Sequence, residues 1–249
     1  RLITHNSKRY LKTFVLGPGT ELNNIDFSDQ KIDNIDFTNS NLQDAILPTT
    51  HFNNAKFVNF TGTPNNSLGN KYNIISQTSF NAIIGPNLNI TNSNLSNKNV
   101  DNQDFTNCSF KNVNLNQTSM ANAIMNNTIG GDFIGNISVL PNNNYKVLTT
   151  TGTNLKYLVG SGIKILNTDF ANFNFNIEIS NINLGTSNLT NATFTGGYIN
   201  ITKSSDPTLN ASNYKIISYN ILGDGLNLGP GPYININFTT QNIDLSGKE

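Results

Sequence analysis

The sequence has little charge, little histidine, one cysteine and no tryptophan. Only 12% of its 249 residues are Asp, Glu, Lys or Arg, and the formal net charge is zero. A nucleic-acid-binding protein usually has a basic surface, so this balance argues against that class. The single cysteine, Cys108, excludes a disulfide within the chain. No apolar run approaches the length of a membrane-spanning helix, and no signal peptide is visible.

Asparagine is abundant instead, with 49 of 249 residues. Low charge with much Asn also occurs in disordered, prion-like segments. The chain nevertheless has 15 Phe, and these recur at regular intervals together with Leu and Ile. Disordered segments are poor in such residues, so the sequence predicts an ordered chain.

Large apolar residues recur at every fifth position, a period that fits neither a helix nor a half-buried strand. The residue two places before each of them is mostly small or aliphatic, as in "IDFSDQKIDNIDFTNSNLQD" at 25–44. Two series run without a slip: Leu22, Phe27, Ile32, Phe37, Leu42, Leu47, Phe52 and Phe57, then Ile90, Leu95, Val100, Phe105, Phe110, Leu115, Met120 and Met125. A third series loses one residue midway: Ile165, Phe170 and Phe175, then Ile179, Leu184, Leu189, Phe194 and Ile199. A fourth begins near Ile234 and ends in "IDLSG" at 243–247.

A longer period encloses these pentads. Glycine turns introduce each series, and their first glycines are Gly17, Gly85, Gly160 and Gly229. Upstream of each turn lies a short match: "RLIT" at 1–4, "NIIS" at 73–76, "KVLT" at 146–149 and "KIIS" at 215–218. Tyrosine precedes the last three matches. A repeat of about 70 residues indicates a solenoid or an array, and we expect the chain to begin and end inside a module.

Five residues suit a short straight segment followed by a corner. Four such segments would close a square coil of about 20 residues, and the next coil would pair with it at the strand spacing of about 4.8 Å. The central Phe, Leu or Ile and the small residue two places before it would point inward. The other positions would face water, where Asp, Asn, Ser, Thr, Gln and Lys collect.

The pentads resemble the pentapeptide-repeat family in "IDFSD", "IDFTN", "SNLQD", "SNLSN", "CSFKN", "VNLNQ", "SNLTN", "ATFTG" and "IDLSG". This resemblance implies an all-β fold, the right-handed quadrilateral β-helix with four pentads per coil, and irregular linker coils. The linking pieces look like those of the long modular pentapeptide-repeat proteins of large DNA viruses and some bacteria.

The repeats predict four modules. The first is a partial module at 1–61 with pentads at 20–59, and the second, at 62–128, has a linker at 62–85 and pentads at 86–127. The third, at 129–201, has a linker at 129–161 and pentads at 163–201. The fourth, at 202–249, is partial, with a linker at 202–228 and pentads from 232. The linkers contain turn signals and apolar runs, so we expect irregular coils or strands packed on the solenoid.

The sequence predicts no catalytic, cofactor-binding or metal-binding residue. His5 and His51 have no neighbours at ligand spacing. Cys108 occupies a small inward position, where a thiol acts as a small hydrophobe. The stretch "LGDGLNLG" at 222–229 has the glycines and aspartate of a calcium turn but occurs once, so a turn is the better interpretation. Asn-x-Ser/Thr triplets, such as those at Asn59 and Asn188, are expected from composition alone.

Four aspartates, Asp26, Asp36, Asp104 and Asp169, directly precede a Phe of the series. Carboxylates on successive coils could form an acidic strip, as in family members that imitate DNA and bind topoisomerases. Lys31, Lys56 and Lys111 share these faces, however, and a DNA mimic needs a dense negative field. An enzyme would need converging Asp, Arg or His side chains, and no such set is visible.

We therefore predict a non-enzymatic structural or scaffold protein, a modular β-helical rod, with a virion of a large DNA virus as one setting. Its partners would be other protein subunits or copies of itself, held through flat faces or ends, with no nucleic acid, no cofactor and no membrane span. The alternative is a binding module, either a DNA mimic that binds topoisomerase or a surface adhesin.

Overall fold

The computed structural model describes residues 2–7, 10–65, 68, 71–76, 79–149, 155–165, 168–171, 173–175, 179–182, 187–190, 193–194, 199–201, 208–209, 214–217 and 220–223. The chain divides into two compact units, which are described separately. Unit 1 comprises Arg1–Ile124 and Ile134–Val139, and unit 2 comprises Met125–Phe133 and Leu140–Glu249. The described residues form strands, bridges and turns but no helix, and so none that could span a membrane.

The strands are short. Unit 1 contains β1 (Leu2–Ser7), β2 (Tyr10–Val15), β3 (Asn73–Ser76) and β4 (Asn81–Ile84). Unit 2 contains β5 (Thr128–Ile129), β6 (Gly131–Phe133), β7 (Lys146–Thr149), β8 (Lys156–Val159), β9 (Ile163–Lys164), β10 (Asn174–Phe175), β11 (Ile179–Ile182), β12 (Asn188–Leu189), β13 (Thr193–Phe194), β14 (Ile199–Ile201), β15 (Thr208–Leu209), β16 (Tyr214–Ile217) and β17 (Asn220–Gly223).

Most pentads bend at a β-turn that begins on the inward apolar residue. The N–H of Ile25, for example, donates to the carbonyl of Leu22 at 3.3 Å. The third residue of the turn, here Asn24, has a φ of 61°. In the described residues 17 non-glycine positions have φ between 55° and 65°, and 13 of them are Asn. Asn tolerates this left-handed conformation better than most residues do, which explains its abundance in the sequence.

In unit 1, bridged pentads pair in parallel with the pentads four places later in the chain, and this interval is constant. Most of the bridged residues directly precede an inward apolar residue, and most of them are half-buried. The bridges join Glu21 with Asn41, Asp26 with Ile46, Asp36 with Lys56, Asn41 with Thr61, Asn94 with Asn114, Asn99 with Ser119, Asp104 with Ile124, Asn114 with Ile134 and Ser119 with Val139. Residues at equivalent positions of pentads four places apart therefore lie next to one another in the stack.

The apolar residues at five-residue spacing form the core. All 16 members of the first two series are buried, as predicted. The rings of Phe37 and Phe57, which are four pentads apart in the sequence, stack with centroids 4.9 Å apart and an angle of 7° between their planes. Offset aromatic pairs of this kind add roughly 1 kcal/mol beyond the buried area.

The one-residue slip in the third series is visible in the strand pairing of unit 2. Phe175 pairs with Phe194 across the slip, at an interval one residue shorter than that between Ile179 and Ile199. Leu189 and Leu209 pair at the full four-pentad interval. β5 and β9 also pair in parallel. Asp169 and Asn188 are joined at the same shortened interval, so the slip shortens the intervals that span it without ending the parallel pairing.

The linkers contain antiparallel hairpins, one for each of the short upstream matches. These pair β1 with β2, β3 with β4, β7 with β8, and β16 with β17. The second strand also joins the preceding pentads in antiparallel fashion, through Phe60 and Asn81, through β6 with β8, and through β14 with β17. Of the two alternatives predicted for the linkers, strands are therefore correct for these segments, and irregular coils are wrong for them.

The recurring tyrosine and glycine of the linkers are explained by direct packing at the hairpin base. A Cβ atom added to Gly85 would lie 2.2 Å from Cδ1 of Tyr72, and one added to Gly160 would lie 2.4 Å from Cδ1 of Tyr145. Glycine is therefore required where the tyrosine ring crosses the chain. Tyr214 is paired with Gly223, while Gly229 lies outside the described residues.

The prediction of an all-β fold of the β-helix type is confirmed. The described residues contain strands and no helix, and their pentads pair in parallel.

Candidate functional site: the outward faces of the pentads

The aspartates that precede the Phe residues are used by the turns. Each carboxylate accepts a hydrogen bond from the backbone N–H two residues later. The donors are Ser28 to Asp26 at 2.9 Å, Thr38 to Asp36 at 2.8 Å, Thr106 to Asp104 at 2.8 Å and Ala171 to Asp169 at 3.0 Å. This is an Asx-turn, in which a side chain replaces a backbone acceptor.

These carboxylates do not stack on one another in the part of the chain that the structure describes. Their partners in parallel bridges are Ile46, Lys56, Ile124 and Asn188. Lys56 Nζ lies 3.9 Å from Asp36 Oδ2, so at this position a cation follows the anion. A DNA mimic repeats negative charge at close intervals, and the described aspartates do not form such a strip.

Asp101 ties two neighbouring segments together. Its Oδ1 accepts hydrogen bonds from the Ser119 hydroxyl at 2.6 Å and from the Ala121 N–H at 2.7 Å. The hydrogen bond from Ser119 is the main cause that holds the pKa of Asp101 below its usual value. Desolvation opposes this shift, and hydrogen bonds from Ala121 and Asn99 add to it. The carboxylate is structural, because its donors are supplied by the fold.

Amide side chains link the pentads along the outward faces. Asn54 Nδ2 donates to Asn34 Oδ1 at 3.0 Å, and Asn107 Nδ2 donates to Asn87 Oδ1 at 2.7 Å. Both pairs join left-handed turn positions that are four pentads apart. Asn41 Nδ2 likewise donates to Glu21 Oε2 at 2.8 Å. Because these amides bond to each other, the faces have polar atoms but little net field.

The two histidines do not form a site with other ligands in the described residues. His51 is exposed at a φ of 65°, and His5 lies in β1 opposite Lys12. The same residues contain no group of three or more His, Cys, Asp or Glu that could hold a metal ion. That no metal or cofactor is bound remains a prediction. The stretch at 222–229 lies mostly outside the described residues.

Cys108 is buried beside the backbone and acts as a packing residue. Its Sγ lies 3.1 Å from the carbonyl oxygen of Gly85, to which the thiol donates. Desolvation raises the pKa of Cys108 to about 12. A thiol with this pKa is protonated at neutral pH and is a poor nucleophile. Thr118 and Ser40 sit in equivalent small inward positions and donate in the same way, Thr118 Oγ1 to Leu95 O at 2.7 Å and Ser40 Oγ to Gly17 O at 3.1 Å.

A buried polar link that the sequence did not predict joins the hairpin to the pentads. Gln103 is buried, and its Nε2 donates to the carbonyl of Lys71 at 2.8 Å. Its Oε1 accepts from Asn73 Nδ2 at 2.5 Å. The adjoining Tyr72 ring packs edge-on to Phe52 with centroids 4.8 Å apart. The only signal in the sequence is a Gln in a slot that elsewhere holds mostly small residues.

Exposed aliphatic side chains replace polar ones at three outward positions of unit 1, whereas the aliphatic Ile46 at the same type of position is half-buried. Ile124, Ile134 and Val139 are exposed by 45%, 56% and 44%. The residues four pentads earlier, which they bridge, are Asp104, Asn114 and Ser119. The sequence also shows this change. In the other pentads of unit 1, the residue before the inward apolar residue is mostly Asp, Asn or Ser. Exposed aliphatic groups are candidates for contact with a partner.

A small apolar hollow lies between the first pentads and the hairpin β3–β4. Its lining residues are Leu47, Phe52, Phe57, Leu68 and Ile83, and it leaves no room for a water molecule. Ligand sites usually enclose about 300–1,000 Å³ and include a few polar groups. This hollow is a packing defect and offers no chemistry.

Comparison with known proteins identifies similarities to one family. The family model described as "Pentapeptide repeats" matches residues 20–59 and 87–128 in 8 copies. A comparison with curated proteins gives no match. Solved structures that match include HetL, a pentapeptide repeat protein involved in heterocyst differentiation regulation from the cyanobacterium Nostoc sp. strain PCC 7120. It is 19% identical with a TM-score of 0.24, over 78% of this chain and 73% of that chain. QnrB1, a plasmid-mediated fluoroquinolone resistance protein, is 9% identical with a TM-score of 0.19, over 77% of this chain and 80% of that chain.

Proposed function

The chain is a pentapeptide-repeat protein, with its repeats at residues 20–59 and 87–128, and we propose that it is a non-enzymatic scaffold. The observation that carries this proposal is that the outward polar side chains already bond within the fold. Asp26, Asp36 and Asp104 hold turns, and Asp101 joins two segments. The inward Cys108 is buried, and its raised pKa keeps the thiol protonated. Acid–base or nucleophilic catalysis needs such groups to be available in a pocket.

We further propose a geometry that suits a scaffold. Four pentads would make one turn of a right-handed quadrilateral β-helix, consistent with the four-pentad interval between bridged residues. Modules at 1–61, 62–128, 129–201 and 202–249 would repeat this design, each with a hairpin in its linker. The hairpins at β3–β4 and β7–β8 support the module boundaries at 62 and 129. The virion setting gains no support from the comparisons.

Contact with other protein subunits or further copies of the chain would occur through the faces. The exposed Ile124, Ile134 and Val139 favour this over a bare spacer, and they also favour the alternative of a binding module. Of the two binding modes, topoisomerase binding by DNA mimicry is the weaker, because Lys56 and Ile46 follow Asp36 and Asp26 in the stack. A surface adhesin has no specific observation in its favour.

Sedimentation velocity of the purified chain tests the scaffold proposal. We expect self-association that is lost in the double variant Ile134→Asn with Val139→Ser, which installs the residue types found four pentads earlier. Ile46→Asn is the matched control, because Ile46 is a half-buried aliphatic residue at the same type of position, and it should leave association unchanged. A chain that stays monomeric at all concentrations, and that forms no end-on contacts in electron micrographs, would contradict the proposal.

A further inference from the structure

Val15 is exposed at a position that is buried in the equivalent hairpins. Counting from the glycine that follows the second strand, Val15, Ile83 and Leu158 occupy the same place. Their partners in the first strand, Leu2, Ile74 and Val147, also correspond. Val15 is 63% exposed, whereas Ile83 is 2% and Leu158 is 0% exposed. Val15, the last residue of β2, therefore presents most of its surface to water, although its counterparts are covered.

The difference does not extend to the next residue of the chain. The next residue in each case, Leu16, Ile84 or Val159, is buried to 3%, 0% or 1% exposure. This position is therefore packed in all three hairpins, and the difference at Val15 lies on the opposite side of the second strand.

In the two buried cases, a closing segment of the preceding pentads covers that side. We use this term for residues 57–60 in unit 1 and residues 130–133 in unit 2. Ile83 N–H donates to the carbonyl of Phe57 at 3.0 Å, and Phe60 pairs antiparallel with Asn81. Leu158 N–H donates to the carbonyl of Gly130 at 2.6 Å, and β6 pairs antiparallel with β8. Each closing segment lies about a dozen residues before its hairpin, at Phe60 before Asn73 and at Phe133 before Lys146.

We propose that the outer edge of β2 around Val15 is a docking surface for the closing segment of a pentapeptide-repeat block joined on its N-terminal side. The antiparallel main-chain bonds seen at Ile83 and Leu158 would form at Val15, and an apolar side chain would cover it. Joining in one polypeptide is favoured over a second copy, because both internal examples use a short connection within the chain. In unit 1 the closing segment 57–60 is already occupied by its own hairpin, so a second copy would not offer it.

Thiol labelling of a lengthened chain tests the docking surface. Residues 20–72 are placed directly before residue 1, because "RLIT" at 1–4 and "NIIS" at 73–76 hold the same place in their modules. Val15→Cys is made in a Cys108→Ala background, in both the original and the lengthened chain. We expect the rate of alkylation by iodoacetamide to fall at least tenfold in the lengthened chain. Ile83→Cys in the original chain provides the rate for a covered position.

Two controls make the result decisive. A lengthened chain with a scrambled 20–72 segment should label as fast as the original. Amide hydrogen exchange of Tyr10–Val15, measured without any substitution, should slow in the lengthened chain even if a cysteine variant folds poorly. Unchanged labelling and unchanged exchange would overturn the proposal. Protection that rises with the concentration of the original chain would also overturn it, since a second copy would then cover Val15. Either failure would leave the scaffold proposal standing, because that proposal does not depend on this edge.

Discussion

Asparagine has two different tasks at the residue scale, and they depend on its place in the pentad. At the third position of the turn, as in Asn92 and Asn97, it adopts the left-handed conformation. Just before the inward residue, as in Asn94, it accepts the N–H of Ser96 at 3.1 Å and forms an Asx-turn. Both tasks need a short side chain with an amide or carboxylate oxygen. The fold therefore explains a composition that otherwise resembles that of disordered chains.

The small inward slot predicts opposite effects for two Ser→Ala substitutions. Ser93 and Ser40 both occupy it and are both buried, but within the described residues Ser93 Oγ has no hydrogen-bond partner, whereas Ser40 donates to Gly17. Ser93→Ala should leave the free energy of unfolding unchanged or raise it by up to roughly 1 kcal/mol, since a desolvated hydroxyl is removed. Ser40→Ala should lower it by roughly 1 kcal/mol. Urea unfolding measures both values, and equal losses would contradict the assignment.

Asp101 predicts a loss of stability in acid. Its pKa is lower in the folded chain than the ordinary value of 3.8, so the unfolded chain binds more protons in this range and stability rises with pH. The contribution of Asp101 to stability is present above its pKa in the unfolded chain and is lost as pH falls through its pKa in the folded chain. Asp101→Asn should therefore destabilise the chain at neutral pH and reduce the loss that accompanies acidification below about pH 4. Thermal melts at several pH values measure this.

Ser119→Ala provides the matched control for the acid prediction. It removes the main hydrogen bond to Asp101 but keeps the carboxylate and the bond from Ala121. Its pH dependence should lie between those of the wild type and Asp101→Asn. If Asp101→Asn shows the full acid loss of the wild type, other carboxylates are responsible.

Pentads and hairpins, at the element scale, differ in how far the sequence predicts them. The inward residues from Leu22 to Phe57 follow from a fixed spacing that only one type of position satisfies, and burial confirms each one. The hairpins contain only short apolar runs such as "NIIS" and "NAII", which suit a strand or an irregular coil equally. Their pairing depends on contacts beyond the local sequence, namely Tyr72 over Gly85 and Phe60 beside Asn81. Gln103 was missed for the same reason, because its partners belong to a distant part of the chain.

Substitution of Gly85, at the base of hairpin β3–β4, should cause a steric clash that substitution of its counterpart Gly17 does not cause. Gly85→Ala would place a Cβ 2.2 Å from the Tyr72 ring and 2.8 Å from the Lys71 carbonyl oxygen. We expect the free energy of unfolding to fall by roughly 2 kcal/mol, typical of forced overpacking. Gly17→Ala is the control, because nothing lies within 4 Å of its added Cβ, and it should change the value by less than about 0.5 kcal/mol. Equal effects at both glycines would refute the packing explanation.

Neutrality is the main property at the scale of the whole molecule. Charged residues make up 12% of the chain and sum to zero, and the outward amides bond to one another. Such a surface does not attract partners over long distances, because steering needs a net field. Recognition would depend on shape, hydrogen bonds and the few exposed aliphatic side chains. This is the physical difference between a neutral scaffold and a mimic of DNA.

Salt dependence distinguishes these two possibilities. A neutral scaffold should keep its self-association constant within about threefold between roughly 50 and 500 mM NaCl, because the chain has few charges and surface ion pairs contribute only about 0–1 kcal/mol. Its unfolding midpoint should shift by no more than about 2 °C, since few interactions are screened. A DNA mimic would instead lose partner affinity by orders of magnitude over this range, as phosphate-like contacts do. Sedimentation and thermal melts at both salt concentrations measure these quantities, and a steep loss of association at high salt would favour the mimic.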